Sequence, residues 1–494
     1  MPVLAALLSA ALLWAAFPPL GWGPLVFIAP APLLWGLRVS TSPVAATAAG
    51  FLFGLAFFGS LLAWIRFAAL VAWVALTVVL ALYPALYALG LSFVRRWPGG
   101  AWWVAAVGGW ALMEFLRARL PFGGFPWGMV GYPVGELAWP RAAAQWIGTS
   151  GWSVVVVAVA AGLALLATEG ARARWMLAPS AVVLVLSLAG ALWPPDAQGP
   201  VLRVAVVQGN APCPGLDCLG QREAIFESHL ELTRSLSPGS VELVVWPESS
   251  TGFAFDPVLN PELGRLIAQQ ARRLDTYILV GGDRPVGDRH FLNTNVLFGP
   301  DGSVIGEYAK RRPVPFGEYV PFRPLLGFVP ELEQVPRDML PGDRPVVFEL
   351  PQGTLGSVIS YEGAFARAVR SEVRAGAQVM VVATNEATYQ LSPASDQFIG
   401  MTRMRAAENG VDLVHAAITG KSAFIRAEGS VGRRTKLFTP DVLSGEVRYR
   451  TAGPTLYTSL GDWLQLLAVG AMLGAVVGRA REVRWRSTTF GRAT

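Results

Sequence analysis

A helical membrane domain of several spans, interrupted near its end by one globular α/β domain, is the fold class this sequence predicts. Three observations predict it. Only 15% of the 494 residues are charged, where a soluble domain carries about 25%. Residues 1–195 are almost continuously apolar. From about residue 198 short β-rich runs alternate with polar stretches, until a last apolar run at 463–478. The net charge of +6 is too modest to suggest a nucleic-acid partner.

The spans come first. A crossing needs about 20 predominantly apolar residues. Candidates lie near 3–18, 21–37, 43–65, 67–94, 101–117, 150–168 and 175–194, which makes 1–195 an N-terminal transmembrane domain of about seven helices. The first two share the turn "FPPLGWG" and read as a helical hairpin. Met1-Pro2 offers no basic n-region, so the start does not read as a cleaved signal. The run "WLQLLAVGAMLGAVVG" supplies a C-terminal helix within 459–478, for about eight spans in all, and a basic tail covers 479–494.

Arginines orient the spans. Arg38, Arg95, Arg96, Arg172, Arg174 and the tail residues Arg479, Arg481, Arg484 and Arg486 fall in alternate connections. Arg66, Arg117, Arg119 and Arg141 fall in the others, fewer per loop. The positive-inside rule places the first set in the cytoplasm. The α/β domain then lies outside, in the periplasm of a bacterium with its spans in the inner membrane. There Cys213 and Cys218, five apart in "CPGLDC", are expected as a disulfide, with two free loop thiols as the alternative. No Cys or His spacing reads as a metal site, and His229, His290 and His415 read as structural histidines.

The α/β domain, 198–455, carries the chemistry. In "VVWPESS" three β-formers and Trp246-Pro247 place Glu248 where a strand leaves its sheet, partly desolvated, as suits a general base; a capping or ion-paired glutamate is the plainer reading. In "EYAKRRPVPFGEYVPF", Lys310 ends a β-like run and suits stabilisation of a tetrahedral oxyanion, against an ordinary surface lysine. Glu318, in "PFGEY", suits orienting Lys310 or assisting proton transfer. In "SVISYEGAF" a β-branched run ends at Ser360, before what reads as the first turn of a helix, the usual presentation of a nucleophile. Tyr361 and Glu362 follow it. Each segment alone is weak. Spaced 62 and 50 residues apart on strand ends of one domain, Glu, Lys and Ser make a strong set.

That set resembles the nitrilase (carbon–nitrogen hydrolase) superfamily, an αββα sandwich with a Glu-Lys-Cys triad. The membrane frame narrows the resemblance to the bacterial apolipoprotein N-acyltransferases. It covers nearly the whole chain, through "FPWGMVGYP" at 125–133, "WPES", "KRRPVPFGEYVPF", "SYE" and "RMRAAENG" at 403–410. It implies Glu248 as base, Lys310 as oxyanion stabiliser, Glu318 as supporting acid, and Tyr361 and Glu362 as the residues after the nucleophile. It also implies acyl transfer in two steps, from a phospholipid to the N-terminal amine of a diacylglyceryl-cysteine in an apolipoprotein, with no metal or cofactor. A nitrilase-like membrane amidase and a non-catalytic lipid- or lipoprotein-binding relative are the alternatives.

Two departures stand out. The family nucleophile is cysteine, and its position holds Ser360; "TNEATYQ" at 384–390 departs from the usual Asn-Asp-Ala-Trp-Phe-Gly. A hydroxyl is far less acidic than a thiol, so an impaired enzyme is expected. An engineered replacement, a natural divergence acting through an ester and a dead site are three readings of the serine. Lipid contacts are expected at Trp127 in "FPWGM", at Phe322, Leu326 and Phe328 of an apolar arm at 321–336, and at Thr388 and Tyr389. Core packing under the sandwich is the alternative for the arm.

Overall fold

The computed structural model describes residues 1–211, 222–252 and 255–490, except the side chains of 222 and 483–490. Cys213 and Cys218, and with them the expected disulfide, lie outside the described residues. The chain forms two compact units. One joins Met1–Ala63, Trp73–Leu192 and the chain from Leu460 on; the other joins Trp64–Ala72 to Trp193–Ser459.

The first unit is helical. Among the described residues, four stretches are long and apolar enough to cross a membrane: Pro43–Leu61, Leu70–Phe93, Ala144–Leu192 and Trp463–Glu482. The expected count of about eight is therefore not reached on length and composition. Two reasons are visible. The helix Pro2–Ala16 has 15 residues, about 22 Å at 1.5 Å per residue, against a hydrocarbon core of about 30 Å. The expected spans 150–168 and 175–194 run together, because a 3-10 stretch, Gly170–Leu177, links helices Ala144–Glu169 and Ala178–Leu192. Close helix packing depends on small residues. A Cβ on Gly50 would meet the Pro84 carbonyl oxygen at 2.3 Å, and one on Gly108 the Ala468 carbonyl oxygen at 2.4 Å.

The helix Gly99–Arg117 buries two ionisable groups, Glu114 and Arg117. Both hold the "FPWGM" loop. Glu114 Oε1 accepts from the Val130 N–H at 2.9 Å, and Arg117 Nη1 donates to the carbonyls of Phe125 at 2.9 Å and Trp127 at 2.5 Å. Trp127 is consequently only 1% exposed, with its ring stacked on Phe125. Trp127, where a lipid contact is expected from the sequence, is thus buried in protein because Glu114 and Arg117 draw the loop inward.

The second unit is a two-sheet sandwich. Its strands are β1 (Val201–Gln208), β2 (Leu243–Val245), β3 (Tyr277–Val286), β4 (His290–Phe298), β5 (Val304–Ala309), β6 (Asp338–Met339), β7 (Val347–Leu350), β8 (Gly353–Ile359), β9 (Val379–Thr384), β10 (Asp412–Ala417), β11 (Ala423–Ile425), β12 (Val431–Arg434) and β13 (Asp441–Arg448). One sheet runs β13-β1-β2-β3-β4-β5, with β6 on β4; the other runs β12-β11-β10-β9-β8-β7.

Alternation along each strand assigns the layers. Leu243, Val245, Leu279 and Leu297 of the first sheet share one buried cluster with Leu355, Ile359, Val379, Val381 and Val414 of the second. These residues fill the space between the sheets. Their strand neighbours Val244, Trp246, Ile278 and Val280 instead pack with Phe226, Leu230, Ile267 and Leu274 of the helices Arg222–Arg234 and Pro261–Leu274. On the far side, Phe398 of the helix Ala394–Asn409 meets His415 edge-on at 5.2 Å. The order helix, sheet, sheet, helix follows. Each buried Leu, Ile or Val contributes about 1.5–3 kcal/mol. By the same parity Asp283, Asn293, Asn295, Lys310 and Ser357 point between the sheets, where polar groups need a partner or a task.

Candidate active site

Glu248 follows β2 and is buried, 5% exposed. Both its oxygens are engaged. Oε1 accepts from Asn293 Nδ2 at 2.8 Å and from Lys310 Nζ at 3.2 Å; Oε2 accepts from the Asn385 backbone N–H at 2.9 Å. Trp246 does not desolvate it, contrary to the sequence reading. Strand parity sends that ring outward, where its Nε1 donates to Thr233 Oγ1 at 2.9 Å. The walls of the sandwich do the desolvating.

Lys310 directly follows β5 and is 1% exposed, so it is not a surface lysine. Its ammonium donates to Glu318 Oε1 at 2.5 Å as well as to Glu248. Burial works against its charge, but the carboxylates of Glu248 and Glu318 outweigh burial and raise its pKa. Glu318 is held by the Val314 N–H on its other oxygen, 2.7 Å. Burial pushes the Glu318 carboxyl above its ordinary value, and the ammonium opposes this only in part. One cation thus sits between the buried Glu248 carboxylate and the half-buried Glu318.

Ser360 leaves β8 on the same edge. Ile359 is in register with Ala383 of β9, and Asn385, whose N–H holds Glu248, lies two residues further on. Ser360 has φ 51°, the left-handed region that non-glycine residues seldom adopt. Such strain at a strand-to-turn corner is often met at functional positions. The expected helix start is a single 3-10 turn, Ser360–Ala364, and the helix proper is Ala366–Arg374.

Glu362 fixes this corner from behind. Its Oε2 accepts from the Ile359 N–H at 3.0 Å and the Tyr308 hydroxyl at 2.8 Å; its Oε1 accepts from the Arg311 N–H at 2.9 Å. It therefore positions the corner that presents Ser360. Tyr361 packs edge-on against Phe365 at 4.8 Å. Arg311 pairs with Glu372 and with Ser371, tying the loop after Lys310 to the helix after Ser360.

The departing segment lies beside the base. Glu386, at φ 62°, accepts from His415 Nε2 at 3.0 Å, within the outer layer. Gly420 is required there, since a Cβ would sit 2.0 Å from Glu386 Oε2. Thr388 is half-buried, and the Tyr389 ring lies 4.4 Å from that of Trp64. Burial, then the charges of Glu386 and Glu248, push the Tyr389 hydroxyl well above its ordinary pKa, so it acts as a neutral hydroxyl.

Sequence reasoning missed Asp283, Asn293, Asn295 and Asn385. Asn295 Nδ2 donates to Ser357 Oγ at 2.6 Å and cross-links the sheets. The signal lay in "NTN", two amides on one face of an otherwise apolar strand.

Comparison with known proteins bears on this geometry. Residues 9–162 match the family model for the apolipoprotein N-acyltransferase N-terminal domain, and residues 203–457 match carbon-nitrogen hydrolase. An apolipoprotein N-acyltransferase of Geobacter metallireducens is 34% identical over 98% of this chain and 96% of its own. One of Mycolicibacterium smegmatis is 32% identical over 91% of this chain and 80% of its own. The chain belongs to the apolipoprotein N-acyltransferase family. Among solved structures, an amidase from Nesterenkonia sp. is matched at TM-score 0.39 and 18% identity, over 53% of this chain and 94% of that one.

An apolipoprotein N-acyltransferase needs a surface that meets lipid, and one segment has that character. Phe322, Leu325 and Phe328 are exposed, Phe328 by 80%, around the short helix Arg323–Leu326. Leu326 is half-buried. Arg323 pairs with Asp338 and anchors the segment's base. Leu325→Glu and Phe328→Glu are expected to weaken binding to phospholipid vesicles while leaving the melting temperature within about 2 °C, as exposed positions do. A matching loss of stability would show instead that these side chains are core.

Proposed function

We propose that this chain transfers an acyl chain from a phospholipid to the N-terminal amine of a lipidated lipoprotein, through an acyl ester on Ser360. The observation that carries the reading is the Glu248–Lys310–Glu318 cluster on the sheet edge from which the left-handed Ser360 corner emerges. Ser360 Oγ attacks the donor's ester carbonyl, and Glu248 takes its proton. Lys310 supports the oxyanion. Collapse breaks the donor's ester bond, and the lysophospholipid leaves with the proton from Glu248. The acceptor amine then attacks the acyl-serine and gives a proton to Glu248. The amide forms, and that proton returns to Ser360 Oγ.

Because a carboxylate deprotonates a hydroxyl poorly, the serine form is a slow enzyme. Incubation with phospholipid followed by mass spectrometry tests this. An acyl adduct on Ser360 that resists neutral hydroxylamine is expected. Phospholipid binding with no adduct would favour a non-catalytic relative; release of free fatty acid without an amine acceptor would favour a hydrolytic amidase.

The membrane placement belongs to the same reading. About eight crossings, with seven before the sandwich, put the arginine-rich connections in the cytoplasm and the sandwich in the periplasm. An alkaline phosphatase fusion after Glu248 should be active and one after Arg172 inactive. The reverse pattern would overturn the orientation.

A further inference from the structure

Asp283, Asn293 and Lys310 form a row across three neighbouring strands. Asp283 on β3 is directly opposite Asn293 on β4, and side chains so paired share a face. The Lys310 N–H, just past β5, donates to the Asn293 carbonyl at 2.8 Å. The row lies over Glu248, which Asn293 and Lys310 both contact.

Two features of this row have no role in the mechanism above. Asn293 gives Nδ2 to Glu248, but its buried Oδ1 has no hydrogen-bond partner. Asp283 is 2% exposed and has no cation in direct contact among the described residues; it accepts from Ser249 Oγ at 3.1 Å. Ser249, next to the base in the chain, is held at φ 56°. A buried acceptor without a donor and a buried carboxyl without a counter-charge are each costly. A single proton on Asp283 removes both costs.

We infer that Asp283 is a positioning residue for the base: as the neutral acid it donates to Asn293 Oδ1, fixes that amide on Glu248, and through Ser249 holds the backbone that carries Glu248. The charged groups facing it are Glu248 after β2, Glu318 in the loop after β5, and Lys310. Arg284, next in sequence, points to the other face and is paired with Asp256 and Glu307. Burial first, then the negative charge of Glu248, raises the Asp283 carboxyl to about 7. Below that pH the proton is in place; above it the acid ionises beside the base, and the amide loses its donor. Base positioning then weakens as the medium turns alkaline.

The inference rests on the proposed role of Glu248, but its first test needs no turnover. Infrared difference spectra of the full-length protein between about pH 5.5 and about pH 8.5 should show a neutral carboxylic-acid C=O stretch lost on the alkaline side. The Asp283 component of that band should be missing from the same difference spectrum of Asp283→Asn, where Glu372, raised by burial to about 8, still contributes. An identical band in both proteins, or none in either, overturns the inference. Acyl transfer in a Ser360→Cys background is the second test. Asp283→Asn, whose amide donates as the neutral acid does, should keep kcat within about threefold and lose the alkaline decline. Asp283→Leu should lose about a hundredfold in kcat at unchanged KM, the scale of a misplaced catalytic group. An Asn variant that falls as far as the Leu variant overturns the neutral-donor role. Absence of transfer in the Ser360→Cys parent would count against the proposed function and leave the infrared result to decide on Asp283.

Discussion

Ser360→Cys should raise acyl transfer by about a hundredfold or more. The reason lies in the nucleophile's acidity, because the rest of the cluster stays as it is. A thiol ionises near pH 8.5 and a modest local field yields thiolate, whereas a serine hydroxyl needs a strong base in the transition state. The base available is a carboxylate already engaged by Asn293, Lys310 and the Asn385 N–H. The substitution is also close to isosteric, so the left-handed corner fixed by Glu362 should persist. The adduct should change character too, from an ester stable to neutral hydroxylamine to a thioester cleaved by it. Transfer of a labelled acyl chain to a lipidated peptide, with mass spectrometry of the protein, measures both. If the folded Ser360→Cys protein gains neither adduct nor transfer, the departures around Glu386 and Tyr389 have disabled the site, and lipid binding without chemistry becomes the better reading.

Lys310→Met should be as damaging to transfer and far more damaging to stability. Among the described residues, the substitution removes the only cation in contact with buried Glu248 and half-buried Glu318. Breaking a buried pair in this way costs about 3–5 kcal/mol, a melting shift of about 10 °C for a domain of this size. The pH dependence has a definite sign. Without the ammonium, the Glu318 carboxyl, already raised by burial, moves higher still. A carboxyl raised in the folded state binds its proton more tightly than in the unfolded chain, so stability is retained at low pH and lost as pH rises through the folded pKa. The melting gap between Lys310→Met and its parent should therefore widen from mildly acidic to alkaline buffer. Transfer, measured in the Ser360→Cys background, should fall about 10²–10³-fold, as when an oxyanion donor is removed. A variant that forms the acyl adduct at the parent's rate would remove Lys310 from the chemistry.

The strands and the chemistry-bearing segments were legible because strand ends carry strong local signals. "VVWPE", "VISYE" and the β-run before Lys310 each name a strand and the residue that leaves it, and all three residues sit on one sandwich. The number of spans was harder to read. Hydropathy marks apolar length, but Pro2–Ala16 is short, and the two stretches between 144 and 192 differ from one continuous run only by a 3-10 link carrying Arg172 and Arg174. A lipid contact is expected at Trp127 from the sequence because a tryptophan sits in an apolar loop beside Pro and Gly. Its burial follows from Glu114 and Arg117, which lie 10 or more positions away in sequence.

Taken alone, the sequence determined the division into an apolar helical part and an α/β part, and put Glu248, Lys310 and Ser360 where β-runs end. Those features are written in local composition and in period-2 alternation, which need no knowledge of partners. Tertiary structure decided what those residues touch. It showed that Glu362 braces the serine corner from behind, that Trp246 faces the outer helices, and that Asn293, Asn385 and Asp283 surround the base. The physical reason is that a hydrogen bond depends on separation in space. Register aligns β2 with β4 in one sheet, and packing of the two sheets brings β9 of the other beside them, which no single segment specifies.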